Sequence, residues 1–380
     1  MITGSLTIQR LLGSMKKLDA SDLHIKVGIA PTYRIGGLLR AIDSPPISED
    51  EADHLLDPIL TAVQKDKFEQ SGNLDFSASL PDGDRFRINI FRAGAHTHAA
   101  IRRVKAEIPS YEQLHLPAIY SKLVSETTDG LVLVVGVTGS GKSSTLAAMV
   151  EQINQTRAEN IITIEDPVEY RIVPKKSIIS QREIGIDVND YPTALRFVVR
   201  EDPDVVMIGE LRDHATVLAA IQAAETGHLV FGSMHTADTM QAFSRMLEFF
   251  PPTERGFIRT AIANTLRAIC AQKLLPAHES YGVKVVPATE VLLGSGLVKE
   301  KIREGEDNDL PALISGSTGS DPGEGMHSFT LSLAHLVKIE AISRQVAMDH
   351  APNREALDSI LKGVEVKAST LVSRLKKPGG

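Results

Sequence analysis

Tryptophan is absent from this chain of 380 residues, and aromatic residues make up only 4% of it. A protein that tracks single-stranded nucleic acid needs stacking platforms along a basic groove, and this composition offers few. The net charge of −7 argues against nucleic-acid affinity over the whole surface and leaves room only for a local basic channel. Cysteine occurs once, at Cys270, which excludes an intramolecular disulfide and any multi-cysteine metal site within the chain. The small apolar neighbours Ala268, Ile269 and Ala271 mark that thiol as a core residue. No apolar run approaches the ~18 residues of a membrane span, and no signal-peptide core is expected at the start. The expectation is a soluble, cytosolic protein. The remaining balance, 42% hydrophobic and 23% charged, suits a globular chain long enough for two domains.

What is present centres on Gly136-Val137-Thr138-Gly139-Ser140-Gly141-Lys142-Ser143. It follows the apolar run Leu131–Val135, which reads as a buried strand, and precedes Ser144–Gln155, which reads as a helix. In a strand–loop–helix setting the glycines let backbone N–H groups turn toward a phosphate chain, and the helix dipole adds positive potential. Lys142 is placed to reach the β- and γ-phosphates, and the Ser143 hydroxyl to ligate Mg²⁺. An ordinary glycine turn is the alternative, and the flanking strand and helix argue against it. The motif implies binding of a nucleoside triphosphate.

The rest of the chain divides around a linker expected at residues 109–117. Residues 1–110 mix helix and strand patterns, as in a small α+β domain. A helix is expected over Leu6–Leu18 and a pair of short helices over Asp50–Gln70. Strands are expected at 22–27, 32–35, 73–79 and 85–91, the last two joined by a turn at Pro81-Asp82-Gly83-Asp84. From Pro117 strands alternate with helices, the mark of an α/β domain with a mostly parallel sheet. Core strands are expected at 131–135, 160–165, 204–209 and 228–234, with helices near 143–156, 191–200, 213–225 and 238–248. Beyond about residue 295 the pattern turns wholly helical (297–304, 308–315, 327–338, 342–350, 353–361). The stretch Gly316–Gly325 reads as a flexible break and the tail 376–380 as disordered.

Chemistry clusters after those strands, where an open α/β sheet presents ligand sites. Asp204–Gly209 is an apolar segment followed by Glu210, a carboxylate able to serve Mg²⁺ or the attacking water; a solvated acid capping a strand is the alternative. Ile161–Ile164 ends in Glu165, Asp166 and Glu169, whose mutual repulsion a cation between them would relieve; simple turn chemistry at Asp166-Pro167 is the alternative. His228 and His235 bracket a third strand. His235 is positioned to hydrogen-bond a phosphate or a carboxylate, although a lone strand histidine is more often structural.

In this order the four segments resemble the Walker A, Asp-box, atypical Walker B and His-box motifs of the secretion and type IV pilus ATPases. Ser21-Asp22-Leu23-His24 resembles the opening of that family's N-terminal PAS-like domain, and Arg85-Phe86-Arg87-Ile88-Asn89 with Arg102-Arg103 its arginine segments. Arg200-Glu201-Asp202-Pro203-Asp204 and Ala224-Glu225-Thr226-Gly227-His228 look like pilus-motor signatures. The resemblance implies a RecA-like P-loop motor domain, a smaller N-terminal PAS-like α+β domain and a ring, usually a hexamer, with ATP at subunit junctions. Assembly and type II secretion members usually carry an added N-terminal domain and a four-cysteine zinc module. This chain, with Cys270 alone and an expected start at the PAS-like domain, is closer to the retraction or twitching-motility branch (PilT or PilU type), as is Gly325–Leu333. It departs from that branch's Ala-Ile-Arg-Asn-Leu-Ile-Arg-Glu helix, because in Leu297–Glu304 only Ile302, Arg303 and Glu304 fit well.

The mechanism so implied is Mg²⁺-dependent ATP hydrolysis. Gly136, Thr138, Gly139, Ser140, Gly141, Lys142, Ser143, Ser144 and Thr145 form or flank the phosphate cradle. Glu165 and Glu210 divide the water-activating and Mg²⁺ roles, with Glu165 the first choice for the water, and His235 senses the γ-phosphate or the neighbouring acid. Arg85, Arg87, Arg102 and Arg103 reach the phosphates from the N-terminal domain; a solvated strand face is the alternative for each. The implied partners are further copies of the chain, an inner-membrane pilus platform protein and a paralogous pilus ATPase, with no nucleic acid. The expected location is peripheral at the cytoplasmic face of the inner membrane. Two rivals stand beside a pilus motor: a DNA translocase, opposed by the aromatic poverty, and a regulator that binds ATP without hydrolysing it.

Overall fold

A computed structural model describes residues 6–80, 85–104, 107–316 and 325–363. The expected turn at 81–84, most of the break at 316–325 and the tail at 376–380 lie outside these residues. The chain divides into two compact units, residues 1–107 with 169–171, and residues 108–168 with 172–380.

The N-terminal unit is a six-stranded sheet with three α-helices among its described residues. Helix α1 (Ile8–Lys17) buries Ile8, Leu11, Leu12 and Met15, its apolar residues at helical spacing, and Thr7 caps its start. Strands β1 (Ala20–Ile25), β2 (Thr32–Ile35) and β3 (Leu38–Ala41) form one run of the sheet. Helices α2 (Glu49–Leu56) and α3 (Ala62–Ser71) each open on a capping box, Ser48 with Glu51 and Thr61 with Gln64. Strands β4 (Asn73–Ser79), β5 (Arg85–Ala93) and β6 (His96–Val104) complete the order β3-β2-β1-β6-β5-β4, with every pair antiparallel. Phe86, Ile88 and Ile90 are buried, while Arg85, Arg87 and Asn89 between them are only half-buried. That period of two is expected of a sheet with one packed face.

In the C-terminal unit, helix α4 (Ile119–Glu126) leads to strand β7 (Gly130–Val135), and helix α5 (Lys142–Thr156) leads to strands β8 (Asn160–Glu165) and β9 (Ile178–Glu183). Then follow α6 (Tyr191–Val198), β10 (Val205–Ile208), α7 (His214–Glu225), β11 (Leu229–Met234), α8 (Thr239–Glu248) and α9 (Arg255–Thr265). Strands β12 (Leu266–Pro276) and β13 (Val285–Leu293) close a seven-stranded sheet of order β13-β12-β7-β11-β10-β8-β9. It is parallel from β12 to β9, and β13 runs antiparallel. Helices α10 (Gly296–Glu304), α11 (Leu310–Gly316), α12 (Phe329–Lys338), α13 (Arg344–His350) and α14 (Arg354–Leu361) form the helical C-terminal region.

Every residue of β7, β10 and β11 is buried, because two apolar clusters cover the two sides of this sheet. Leu131 and Leu133 enter one cluster; Val132, Val134 and Cys270 enter the other. Burial pushes the Cys270 thiol up to about 12. Residues 109–117, expected as a linker, pack on this unit: Leu116 is buried, and Ile108, Tyr111 and Leu114 rest on the Cys270 side of the core. The segment is therefore anchored by apolar contact along its length, a role its Pro and Ser residues did not suggest.

Candidate active site

The parallel register brings the functional segments to one end of the sheet. Val135 pairs with Met234, so the loop after β7 and His235 after β11 emerge side by side. Ile208 pairs with both Ile164 and Gly232, which sets Gly209-Glu210 beside the ends of β8 and β11.

Residues 136–141 form the loop, and Lys142 and Ser143 open α5. Gly136 has φ 155°, and a Cβ there would fall 2.4 Å from Ser140 Oγ and 2.5 Å from the Gln272 carbonyl oxygen. Any other residue would force the loop off the sheet. The Lys142 ammonium donates to the carbonyls of Gly136 (2.8 Å) and Val137 (3.3 Å) and lies 3.5 Å from His235 Nδ1. Thr138 Oγ1 is 3.4 Å from that same nitrogen, and His235 Nε2 is 3.7 Å from Glu210 Oε1. Thr138, Lys142, His235 and Glu210 therefore form one continuous polar string. Ser140 Oγ is buried without a hydrogen-bond partner among the described residues.

Glu210 is held through its neighbours. Gly209 N–H donates to the Ile164 carbonyl (2.8 Å), Ser233 Oγ donates to the Gly209 carbonyl (2.5 Å), and Leu211 N–H donates to the Ser233 carbonyl (2.8 Å). A Cβ at Gly209 would lie 2.9 Å from the Tyr191 hydroxyl, so glycine is required between the strand and its acid. Burial raises the Tyr191 phenol, and the carboxylates of Asp166 and Glu210 push the same way, so it stays a neutral donor.

Glu165 ends β8 and is buried; it accepts from Thr163 Oγ1 (2.6 Å) and Gln181 Nε2 (3.1 Å). The expected trio of carboxylates does not form: Asp166 and Glu169 are exposed, and no metal-holding group of three His, Cys, Asp or Glu exists among the described residues. The chain bends after Glu165 and leaves Asp166 and Glu169 at the surface. A divalent ion that keeps most of its waters needs only one or two protein ligands, and Ser143 with a single acid suffices.

Thr145 is buried, with its hydroxyl donated to Gln272 Oε1 (3.0 Å), so it faces the sheet and braces the loop. Ser144 and Thr145 also border a cavity of about 220 Å³, with Gln113, Leu116, Leu274 and Val285 on its other sides. The four arginines belong to the N-terminal unit. Arg87 pairs with Arg102 across β5 and β6 and shares its face with Arg85, two residues away, whereas Arg103 pairs with the buried Phe86 on the opposite face. Arg102 Nε donates to Asp22 Oδ1 (2.9 Å).

Sequence reasoning missed Thr163, Gln181, Ser233, Gln272 and the cavity residues at 113–116. A polar residue inside an otherwise apolar run, as Ser233 in Leu229–Met234 or Thr163 in Ile161–Ile164, was the available signal.

Loop, acids and histidine thus stand together where a parallel sheet ends, which is the organisation of a P-loop ATPase with a RecA-like motor fold. The Type II/IV secretion system protein family matches residues 5–295, and the chain belongs to that family. It is 36% identical to "Type IV pilus retractation ATPase PilT" of Pseudomonas aeruginosa over 346 residues, covering 91% of this chain and 98% of that protein. It is 34% identical to "Type IV pilus ATPase PilU" of the same organism, covering 97% of this chain and 95% of that protein. The crystal structure of the pilus retraction motor PilT with bound ADP superposes with TM-score 0.84 at 36% identity, over 93% of this chain and 99% of that one.

Proposed function

We propose that this chain is a Mg²⁺-dependent ATPase that works as a ring, a hexamer by family resemblance, and powers retraction of a type IV pilus. The observation that carries this reading is the polar string Lys142–His235–Glu210 at the mouth of the glycine loop. The orphaned, buried Ser140 hydroxyl and the N-terminus of α5 suit a phosphate chain. Lys142 and the loop N–H groups bind and orient the phosphates, while the 220 Å³ cavity beside Ser144 accommodates the base. Ser143, with Glu165 or Glu210, would hold Mg²⁺, which neutralises charge on the phosphates. The other carboxylate orients the attacking water and accepts its proton. His235 links the loop lysine to Glu210 and reports on whichever charge lies between them. Action at the cytoplasmic face of the inner membrane, on a platform protein, belongs to the same proposal; no helix of the described residues is long and apolar enough to cross a membrane.

An accessory, PilU-like role is favoured by helix α10. There Lys301, at a leucine position of the retraction-branch motif, is buried and paired with Glu306 and with Asp309. ATP turnover by the purified chain, with Lys142→Ala beside it, tests the core reading. A loss of about a hundredfold or more is expected on removing the ammonium. Unchanged hydrolysis by the variant would refute the site.

A further inference from the structure

We propose that Gln272 is a positioning residue that sets the phosphate-binding loop by holding one of its peptide planes. The inference rests on the nucleotide-binding reading of the loop and names a residue outside every motif that led to it. Gln272 is 1% exposed, near the end of β12, one residue beyond the pairing of Ala271 with Val135, so it lies directly beneath the loop. Its Nε2 donates to the Ser140 carbonyl at 2.7 Å, and its Oε1 accepts from Thr145 Oγ1 at 3.0 Å. The amide orientation is unambiguous, because a carbonyl oxygen can only accept and must face the NH₂ end.

One amide therefore ties the loop to the first turn of α5 and both to the sheet. Its mechanical effect follows from peptide geometry. In a trans peptide C=O and N–H point in opposite directions, so drawing the Ser140 carbonyl down to Gln272 turns the Gly141 N–H up, away from the sheet. No protein group among the described residues accepts from that N–H. It is left for an anion in the cradle, together with the dipole of α5. The carbonyls of Gly136 and Val137 are held by Lys142, whereas that of Ser140 accepts from Gln272 on the sheet side. Without Gln272 that carbonyl would be buried and unpaired, and rotating the peptide to relieve it would withdraw the N–H from the phosphate.

The hydrogen bond exists before and after phosphoryl transfer, so its loss should weaken ground state and transition state alike. That raises KM and leaves kcat nearly unchanged. The test uses the full chain and Gln272→Leu, with Gln272→Met as a second variant of similar length should the branched side chain disturb packing. ATP turnover is measured with tripolyphosphate and, separately, adenosine as competitors. KM for ATP and the inhibition constant for tripolyphosphate should both rise about tenfold, with kcat within about twofold and adenosine inhibition unmoved. Gln272 also borders the cavity beside Ser144, and a role confined to the base would reverse that pattern, moving adenosine and sparing tripolyphosphate. Either that reversal or wild-type constants in both variants would overturn the proposal. Wild-type turnover that depends on Lys142 would leave the nucleotide-binding reading standing in either case.

Discussion

In the N-terminal unit, strand β5 alternates between half-buried and buried residues until its exposed end, whereas every residue of β7 in the C-terminal unit is buried. An antiparallel sheet with one open face can carry chemistry on that face, and Arg85, Arg87 and Arg102 share one. A parallel sheet covered on both faces has no such surface. Its reactive groups must stand at or past the last strand residue, as Glu165 does at the end of β8 and Lys142, Glu210 and His235 do beyond β7, β10 and β11. The difference teaches where to look: along strands in the first unit, beyond them in the second.

The sharpest way to break this comparison is to strip the open face. If its arginines serve the phosphates of another copy in the proposed ring, Arg87→Ala/Arg102→Ala should lower turnover by about 10³-fold or more. Mixing that variant with Lys142→Ala, inactive for a different reason, should restore part of the activity through interfaces that combine intact halves. Full activity of the arginine variant alone would assign these residues to a solvated face. At the strand ends, Glu165→Gln and Glu210→Gln should each cut kcat by about 10²- to 10⁴-fold while ADP binding, followed by calorimetry, stays close to wild type. Normal turnover in both would place the catalytic acid elsewhere. The mildest change is Ser233→Ala, which removes the hydroxyl that holds the Gly209 carbonyl but leaves Glu210 in place. A fall in kcat of about twofold to tenfold is expected, without a loss of nucleotide affinity; an unaffected kcat would show that the turn holds its acid unaided.

Much of this was legible in the sequence because its signals are local. The strands 32–35, 73–79 and 160–165 coincide with β2, β4 and β8 end to end, since turn residues bound each apolar or alternating run. The glycine loop and both acids follow directly from strand-then-polar spacing. Strands β12 and β13 were not legible. Helix α9 ends at Thr265 and β12 starts at Leu266, with no glycine or proline between them to mark the change. Strand β9 was hidden for another reason: as an edge strand it exposes the apolar Ile178 and buries the acidic Glu183, the reverse of what residue type suggests. Two partners of the site residues, Gln272 for the loop and Gln181 for Glu165, come from other strands and are set by strand register, which the spacing around the site residues does not encode.

Cys270 carries a practical consequence. It lies buried in the core, its proton held up to about 12, so it offers no thiolate to an alkylating reagent near neutral pH. A cysteine introduced at any exposed position would be the one reactive thiol of the chain. Each copy could then carry a single fluorophore or spin label with the native residue left in place. The motions of each chain, and of the ring if one forms as proposed, would become measurable one marked position at a time.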